Sequence, residues 1–377
     1  MNRSPAPSTQ QRTFVVNRRH FEQSRQLSAP APTPEQLQPG QLLLAVDRFA
    51  FTANNITYAA MGKALRYWEF FPAEGEEGII PVWGFADVIA SRCEGIEVGE
   101  RIYGYYPMAS HLRVEPVQVS DASFVDGSEH RRSLPVIYNQ YIRSAVDPIY
   151  RADTEALQML LRPLFTTSFL LDDFFIDNQL FGARSLVLTS ASSKTALGMA
   201  FLLSQQRDQR TLDYEVVGLT SARNRAFVES LGCYDRVLEY GAVESLDPGV
   251  ATAIVDFAGM GELLGRLHRH FDTQLTYSCL VGAAHWDARA GAPAELPGAA
   301  PEMFFAPTQA QKRLKEWGGA AFQQRVATAW ATFLDFVGGW MRVEEALGGE
   351  AAERVYQQTL AGDIDPQTGY ILSLRQD

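Results

Sequence analysis

Residues 185–203, SLVLTSASSKTALGMAFLL, have the composition of a strand, a short polar turn and an apolar helix. The turn offers several hydroxyl groups and the ammonium group of Lys194, all of which can bind a phosphate, whereas dinucleotide-binding turns usually carry glycines there. A helix that begins after the turn also presents backbone N–H groups and the positive end of its dipole to an anion. The segment therefore predicts a phosphate-binding loop in which side chains partly replace bare glycine backbone.

Two other interpretations of this segment stay open. Its small residues could simply pack in a fold that has lost its cofactor. The letters SKT could also end the phosphate loop of a nucleotide triphosphatase, but the two glycines of that motif would fall on Leu188 and Ser193. The loop of a dinucleotide-binding unit is the favoured prediction.

The sequence pattern changes about 150 residues into the chain. Between residues 13 and 119, short predicted strands such as QLLLAVDRFAFT and RIYGYYP are separated by turns with Pro and Gly, which indicates a small barrel or sandwich. From about residue 153, predicted strands (SLVLTS, YEVVGLTS, DRVLEY, AIVDFAG and TYSCLVGA) alternate with helical patterns. Such alternation is typical of a doubly wound parallel sheet.

These patterns predict two domains. Residues 1–12 are predicted to be a disordered lead-in, residues 13–152 together with 307–377 the β-rich domain, and residues 153–306 the parallel-sheet domain. Residues 287–306 are rich in Ala, Pro and Gly and are predicted to be a loop that leaves the sheet. The helical patterns and the final strand GYILSL after them are predicted to fold back on the β-rich half.

Composition narrows the class of partner. The chain has 377 residues and a net charge of −11, so neither a nucleic acid nor an anionic membrane is the expected partner. Its longest apolar window, PLFTTSFLLDDFFI, is interrupted by Asp172 and Asp173, so no membrane span is predicted. Three scattered cysteines without a CxxC pair suggest a reducing, cytoplasmic setting. A small, hydrophobic molecule is the predicted partner.

Several motifs in the correct order resemble the medium-chain dehydrogenase/reductase superfamily, specifically its zinc-free quinone and enoyl reductase branch. FTANNITY, IPVWGFADVIAS and VGERIYG match the barrel half, and the segments from SLVLTSASSKTALGMA to TYSCLVGA match the nucleotide-binding half. The resemblance covers about residues 41–281. It implies an α/β fold with a GroES-like barrel domain and a Rossmann domain. It also implies an oxidoreductase that transfers hydride from a reduced nicotinamide cofactor to an activated alkene, ketone or quinone without metal.

The nucleotide loop departs from the family pattern, because the three fingerprint glycines fall on Ser190, Ser193 and Ala196. The second strand ends in GLTSARN, with no acidic residue before Glu229 to hold the ribose diol of NADH, and Arg223 favours the 2′-phosphate of NADPH. With the resemblance, the predicted cofactor-binding residues are Ser190, Ser192, Ser193, Lys194, Thr195, Ser221, Arg223, Tyr240, Val281 and Gly282.

Without zinc, hydrogen-bond donors must polarise the substrate oxygen. The resemblance places Asn54 and Tyr58 beside the nicotinamide, and His285 directly follows the fifth strand of the sheet. The predicted catalytic residues are therefore Tyr58, Asn54 and His285, with packing and solvent exposure as the alternative roles. The predicted substrate-binding residues are Tyr67, Trp68, Tyr138 and Trp286.

No metal site is predicted. Cys93 has no cysteine partner, and His268 and His270 stand two apart on a helical pattern, so they point to different faces. The resemblance predicts a homodimer that pairs at the edge of the parallel sheet near TYSCLVGA. Two alternative functions stay open: a non-redox protein that keeps the fold for binding or assembly, and a lyase or isomerase that uses the same cleft.

Overall fold

The computed structural model describes residues 9–281 and 296–375. The chain forms two compact units. The first extends to Leu160 and resumes at Trp340, and the second is formed by Leu161–Gly339. The predicted α/β fold class, with one β-rich unit and one parallel-sheet unit, is confirmed.

The first unit is built mainly from antiparallel strands. A three-stranded sheet has the order β2-β1-β4, and a nine-stranded sheet has the order β17-β18-β3-β5-β6-β10-β9-β8, with β7 also paired to β3. The elements are β1 (Gln10–Asn17), β2 (Ser24–Pro30), β3 (Leu42–Phe51), α1 (Ala53–Ala60), β4 (Glu77–Gly78), β5 (Pro81–Ser91), β6 (Arg101–Pro107), β7 (His111–Val114), β8 (Pro116–Val117), β9 (Ser123–Asp126), β10 (Gln140–Arg143), β17 (Arg342–Leu347), α8 (Gly349–Leu360) and β18 (Thr368–Ser373).

The core of the first unit follows the two-residue repeat of its strands. On β3, Leu42, Leu44 and Val46 belong to one large buried cluster with Phe14 and Tyr356. The intervening Leu43 packs instead in a small cluster on the other face of the strand. The strand is therefore covered on both faces along this stretch, which explains its unbroken apolar sequence.

The second unit is a doubly wound sheet. Its six strands are parallel and have the order β13-β12-β11-β14-β15-β16, which is the order 3-2-1-4-5-6 of Rossmann folds. The elements are α2 (Glu155–Asp177), which belongs to this unit from Leu161 onward, β11 (Ser185–Leu188), α3 (Lys194–Gln205), β12 (Glu215–Thr220), α4 (Arg225–Ser230), β13 (Arg236–Glu239), β14 (Thr252–Asp256), α5 (Gly261–Phe271), β15 (Leu275–Val281), β16 (Pro301–Phe304), α6 (Ala306–Trp317) and α7 (Gly319–Gly338).

Helices α6 and α7 lie in the second unit, whereas the sequence analysis grouped all residues from 307 onward with the β-rich domain. The reason is the apolar face of α7. Phe333 stacks on Phe165 of α2, with 4.5 Å between ring centroids, and also contacts Phe201 of α3 at 5.4 Å. Helical periodicity predicted α7 but could not tell which core would bury it.

Helix α2 has 23 residues and was not predicted, because its sequence contains Pro163 and two adjacent acidic residues. Both acids are paired: Asp172 binds Arg210 at 2.6 Å, and Asp173 binds Arg313 at 2.6 Å. These ion pairs allow an acidic doublet to lie within an otherwise apolar helix. Among the described residues, no helix is long and apolar enough to cross a bilayer.

Two further expectations differ from the structure. Residues 10–12, predicted as part of a disordered lead-in, belong to β1 and pair with residues 28–30 of β2. The prediction that TYSCLVGA is an edge strand is wrong, because β16 pairs with Ser278–Val281 of β15 and occupies that side. The short β16 follows an Ala- and Pro-rich segment, where no strand pattern is visible.

The Asp172–Arg210 pair gives a test of stability. Both side chains are less than one-tenth exposed, so Arg210→Met leaves the buried carboxylate of Asp172 without its cation. This substitution should lower the free energy of unfolding by about 3–5 kcal/mol at pH 8. Burial raises the pKa of Asp172 to about 6 despite the opposing effect of Arg210. The folded state therefore binds a proton on Asp172 more tightly than the unfolded state does. Because a protonated Asp172 carries no charge that needs Arg210, the loss of unfolding free energy in Arg210→Met should shrink as the pH falls toward 5.

Urea unfolding at both pH values measures this effect. Arg184→Met is the matched control, because Arg184 pairs with Asp213 on the surface, where both side chains are mostly exposed. It should cost at most about 1 kcal/mol. An equal loss of unfolding free energy in Arg210→Met and Arg184→Met would contradict the conclusion that Asp172 and Arg210 form a buried ion pair.

Candidate functional site

The predicted strand, turn and helix are formed by β11, residues 189–193 and α3. Ser190 has a φ of 51°, in the left-handed region that glycine adopts readily and other residues rarely do. This is the position on which the first fingerprint glycine of the resembling family falls. The backbone thus adopts the conformation for which glycine is usually required, and Ser190 adopts it at a cost in conformational strain.

The start of α3 has the features of an anion-binding helix terminus. Ser193 is the N-cap, and its side chain accepts a hydrogen bond from the Ala196 N–H at 3.4 Å. Ala196 is fully buried, so it takes the packing role of the third glycine. Lys194 and Thr195 are half-buried in the first turn, where N–H groups and the helix dipole favour an anion.

A hydrogen bond from the neighbouring strand–turn orients Ser192. The Asn224 side-chain amide donates to Ser192 Oγ at 3.0 Å. Because this amide occupies an acceptor site of the hydroxyl, the Ser192 proton remains available for another acceptor such as a phosphate oxygen. Asn224 lies in the short turn after β12, which Ser221 caps. The sequence analysis missed Asn224, although it directly follows Arg223 in the quoted GLTSARN motif.

The strand order reverses between β11 and β14, which is where doubly wound sheets bind their ligands. Thr189, just after β11, donates to Asp256 Oδ1 at 2.6 Å and accepts from the backbone N–H groups of Phe257 and Ala258 at 2.9 and 3.0 Å. These bonds hold the carboxyl ends of both strands together. Sequence reasoning did not single out Thr189 or Asp256.

The remaining predicted cofactor residues lie at the same end of the sheet. Arg223 is exposed in the turn after β12. Arg225, two residues further on, pairs with Glu229 and Glu239. Tyr240 follows β13; burial raises its pKa, and hydrogen bonding with Ser190 opposes that shift. Val281 is the last residue of β15. The predicted residues Gly282, His285 and Trp286 lie outside the described residues.

In the first unit, the structure brings together a set of rings that we call the aromatic cluster. Tyr58 and Tyr67 have ring centroids 4.6 Å apart, and the hydroxyl oxygens of Tyr67 and Tyr138 are 3.2 Å apart. Tyr105 packs against Tyr138 at 4.8 Å and against Trp83 at 5.0 Å. The cluster consists of Tyr58, Tyr67, Phe70, Trp83, Tyr105 and Tyr138.

Helix α1 places Tyr58 in this cluster. Thr52 is the N-cap, and its backbone N–H donates to Asn55 Oδ1 at 2.8 Å, while Asn55 Nδ2 donates to the carbonyl of Pro81 at 2.9 Å. Asn55 therefore fixes α1 to β5. Asn54 and Tyr58 are four residues apart and share one face of the helix.

The hydroxyl of Tyr58 lies in a setting that keeps it protonated. Burial raises its pKa, and Tyr138 adds to this, whereas hydrogen-bonding groups of Trp83 and Asn54 near the hydroxyl lower it. The Trp83 indole N–H is buried and has no partner at full hydrogen-bond geometry among the described residues. Burial likewise raises the pKa of Tyr67, to about 12. The phenols are thus protonated at neutral pH and act as hydrogen-bond donors.

Tyr105 adds a second donor without a partner. It is fully buried, and its hydroxyl has no hydrogen-bond partner within the part of the chain that the structure describes. A buried hydroxyl without a partner costs free energy, so such groups are often satisfied by a ligand or water. Neither Tyr105 nor Trp83 was predicted, because RIYGYYP was interpreted only as a strand and IPVWGFADVIAS only as a strand and a family motif.

Trp68 is placed elsewhere. It belongs to the large apolar core of the first unit, packs against Gly62 and Gly78, and lies under Arg18, whose guanidinium carbon is 5.9 Å from its ring centroid. Of the predicted substrate-binding residues, the structure therefore brings Tyr67 and Tyr138 into the aromatic cluster with Tyr58, but not Trp68.

Side chains that bind metals are dispersed. Among residues 9–281 and 296–375, no group of three or more His, Cys, Asp and Glu side chains could hold a metal ion. His268 is buried and contacts the Pro297 carbonyl and Ser278 Oγ, each at 2.9 Å, whereas His270 contacts the Leu246 carbonyl. The two histidines thus contact different groups.

The left-handed backbone of Ser190 generates a prediction. Ser190→Gly and Ser190→Ala both remove the hydroxyl that approaches Tyr240, but only glycine relieves the backbone strain. The glycine variant should therefore be more stable than the alanine variant by about 1–2 kcal/mol. Thermal or urea unfolding of the two variants measures the difference, and an alanine variant as stable as the glycine variant would disprove the strain.

Comparison with solved structures identifies the fold. CurA from Vibrio vulnificus in complex with NADPH aligns over 97% of this chain and 100% of its own, with a TM-score of 0.59 and 14% identity. A quinone oxidoreductase from Coxiella burnetii covers the same shares with a TM-score of 0.53 and 10% identity. The yhdH oxidoreductase from Salmonella enterica in complex with NADP also covers 97% and 100%, with a TM-score of 0.51 and 12% identity.

These likenesses confirm the predicted medium-chain dehydrogenase/reductase fold. A search of curated proteins by sequence gave no match. A family model described as "Protein of unknown function (DUF2855)" matches residues 49–365. This match includes most of both units, and the chain therefore belongs to that family.

Proposed function

We propose that the protein is an NADPH-dependent oxidoreductase that reduces an activated alkene, ketone or quinone without a metal ion. The observation that carries the proposal is the serine-lined start of α3, at the position where doubly wound sheets bind a dinucleotide. The similarity to CurA and yhdH, whose structures contain NADPH and NADP, supports it.

The residues around this helix start fit a dinucleotide phosphate. Ser192 keeps a proton to donate, Lys194 adds a positive charge, and the first turn of α3 adds N–H groups. Ser190, Ser193 and Thr195 complete the loop.

Arg223 with Ser221 would hold the 2′-phosphate that distinguishes NADPH from NADH. In support, the end of β12 carries no acidic residue, and Glu229, the nearest one downstream, is paired with Arg225.

In the first unit, Tyr58 is the proposed proton donor to the substrate, and Asn54 is the proposed second donor to its oxygen. When bound, NADPH supplies the hydride. As Tyr58 gives up its proton, the nearby donor groups of Trp83 and Asn54 stabilise the phenolate that remains. The same arrangement favours proton return from solvent after the reaction, because burial makes the Tyr58 phenolate strongly basic. His285 remains a further candidate.

Tyr67 and Tyr138 are the proposed walls of the substrate pocket. Their rings and those of Trp83 and Tyr105 offer apolar faces, which suits a flat, hydrophobic substrate. The phenols are neutral because burial raises their pKa values. The cluster therefore favours an uncharged substrate with an oxygen acceptor. A homodimer is part of the proposal by family resemblance.

Cofactor preference is the first test. The protein should bind NADPH more tightly than NADH, because each charge-assisted contact to the 2′-phosphate contributes roughly 1.5–3 kcal/mol, which corresponds to about tenfold to a hundredfold in Kd. Arg223→Asp should abolish the preference in calorimetric titration.

Arg225→Gln is the matched control, since Arg225 is held by two glutamates in the same region and should leave the preference unchanged. Equal affinity of the unmodified protein for both cofactors would remove the argument for NADPH. Binding of neither cofactor would favour the non-redox function.

The second test concerns Tyr58. Tyr58→Phe should lower turnover by about 10²–10³ and leave the Kd for NADPH unchanged, because the phenol acts on the substrate. Tyr356→Phe is the control: this buried tyrosine donates to the Phe21 carbonyl in the same unit and should affect stability but not turnover.

The assay is NADPH oxidation with a panel of enones, ketones and quinones. Because burial raises the pKa of Tyr58 above its usual value of 10, the active, protonated form persists, and no loss of activity from this group is expected up to pH 10. Full activity of Tyr58→Phe would make Tyr58 a packing residue.

A further inference from the structure

Behind the aromatic cluster lies a buried arginine to which neither the sequence analysis nor the proposed function assigns a role. Arg131 is only 1% exposed, yet it carries a full positive charge. It follows β9 in a short turn and stands seven residues before Tyr138. A fully buried arginine is uncommon, and its partners decide what it does.

The guanidinium group is bound on every side. Its Nη1 donates to Asp126 Oδ2 at 3.0 Å and to the hydroxyl of Tyr141 at 2.9 Å, and its Nε donates to Asn139 Oδ1 at 2.8 Å. Its Nη2 donates to the backbone carbonyl of Tyr138 at 2.7 Å. The charge is thereby balanced by one carboxylate, and the planar fork fixes four groups in one geometry.

Two of these contacts lead to residues of the aromatic cluster. The Tyr138 carbonyl is bound directly. The Tyr141 hydroxyl, which accepts from Arg131, donates in turn to the backbone carbonyl of Tyr105 at 2.8 Å. Because the hydroxyl accepts on one side and donates on the other, its orientation is fixed. Arg131 therefore holds the backbone of Tyr138 directly and that of Tyr105 through one intermediate.

The guanidinium also packs against two aromatic rings, one of which belongs to the cluster. Its central carbon lies 5.4 Å from the ring centroid of Phe70 and 5.0 Å from that of Phe71. Phe70 contacts both Tyr105 and Tyr138 edge to face. The arginine thus supports these two tyrosines through their backbones and through a ring that touches both.

We propose that Arg131 is a positioning residue that holds Tyr105 and Tyr138 in the arrangement required for substrate binding. A buried ion pair is by itself weak evidence of a stabilising role, because well-packed apolar residues often replace such pairs at no cost. The directional hydrogen bonds of the guanidinium, in contrast, anchor the backbone carbonyl of Tyr138 directly and that of Tyr105 through Tyr141, and so orient both side chains. The part concerning substrate rests on the proposed function, whereas the part concerning the tyrosine arrangement does not.

The arrangement is tested by NMR of the full-length protein labelled with tyrosine ¹³C at Cζ, with signals assigned by single Tyr→Phe changes. In Arg131→Lys, which keeps the charge but loses the fork, the signals of both Tyr105 and Tyr138 should shift or broaden. In Tyr141→Phe, whose ring stays stacked on Phe124, the Tyr105 signal should move more than that of Tyr138.

Two controls separate positioning from a general loss of structure. The Tyr356 signal, from the core of the same unit, should stay unchanged in both variants. Arg143→Lys makes the same substitution at an arginine whose side chain binds Glu100 and the Ser120 carbonyl, and it should move neither signal. Tyr105 and Tyr138 signals that coincide with those of the unmodified protein in folded Arg131→Lys, or in Tyr141→Phe should the lysine variant not fold, would overturn the proposal.

Kinetics then test the link to substrate. With a substrate found by the screen above, Arg131→Lys should lower kcat/KM about tenfold to a hundredfold, as small displacements of positioned groups do, and leave the Kd for NADPH unchanged. Shifted signals with unchanged kcat/KM would overturn the role in substrate binding. Shifted signals in a protein that binds no NADPH would uphold the arrangement and instead refute the proposed function.

Discussion

A polar group taken out of water costs free energy unless it finds a partner, and this constraint shapes both units of the protein. Asn55 fastens α1 to β5, Thr189 joins the ends of β11 and β14, and Arg131 supports the tyrosines of the aromatic cluster. Each of these bonds is directional, so it fixes the orientation of a neighbouring element as well as its position. The elements that carry the candidate site residues are thus oriented mainly by buried hydrogen bonds.

The turn between β11 and α3 keeps its backbone shape although the glycines that usually form it are absent. The left-handed turn persists at Ser190, the helix packing persists at Ala196, and Ser193 supplies the N-cap. Glycine gives such loops close backbone approach without strain. Serine gives up part of this freedom and supplies hydroxyl donors whose directions are set by neighbours such as Asn224.

Much of the fold was predictable because strand and helix periodicities are local properties. The strands from β11 to β15 and the helices α3, α5 and α7 were predicted from their patterns. Long-range choices were not: α7 could have covered either core, and β16 pairs with β15 although its own sequence shows no strand pattern. In the site, Tyr58 was found by resemblance, whereas Arg131 and Tyr105 matter only through contacts that sequence spacing cannot display.

The placement of Trp68 has a consequence for how this family can diverge. Its ring fills the space beside Gly62 and Gly78, and a methyl group at residue 78 would come within 2.6 Å of the indole. The residues at these three positions should therefore change together. A relative with a larger residue at either glycine position must carry a smaller residue in place of the tryptophan. In an alignment of relatives, these three positions should therefore covary.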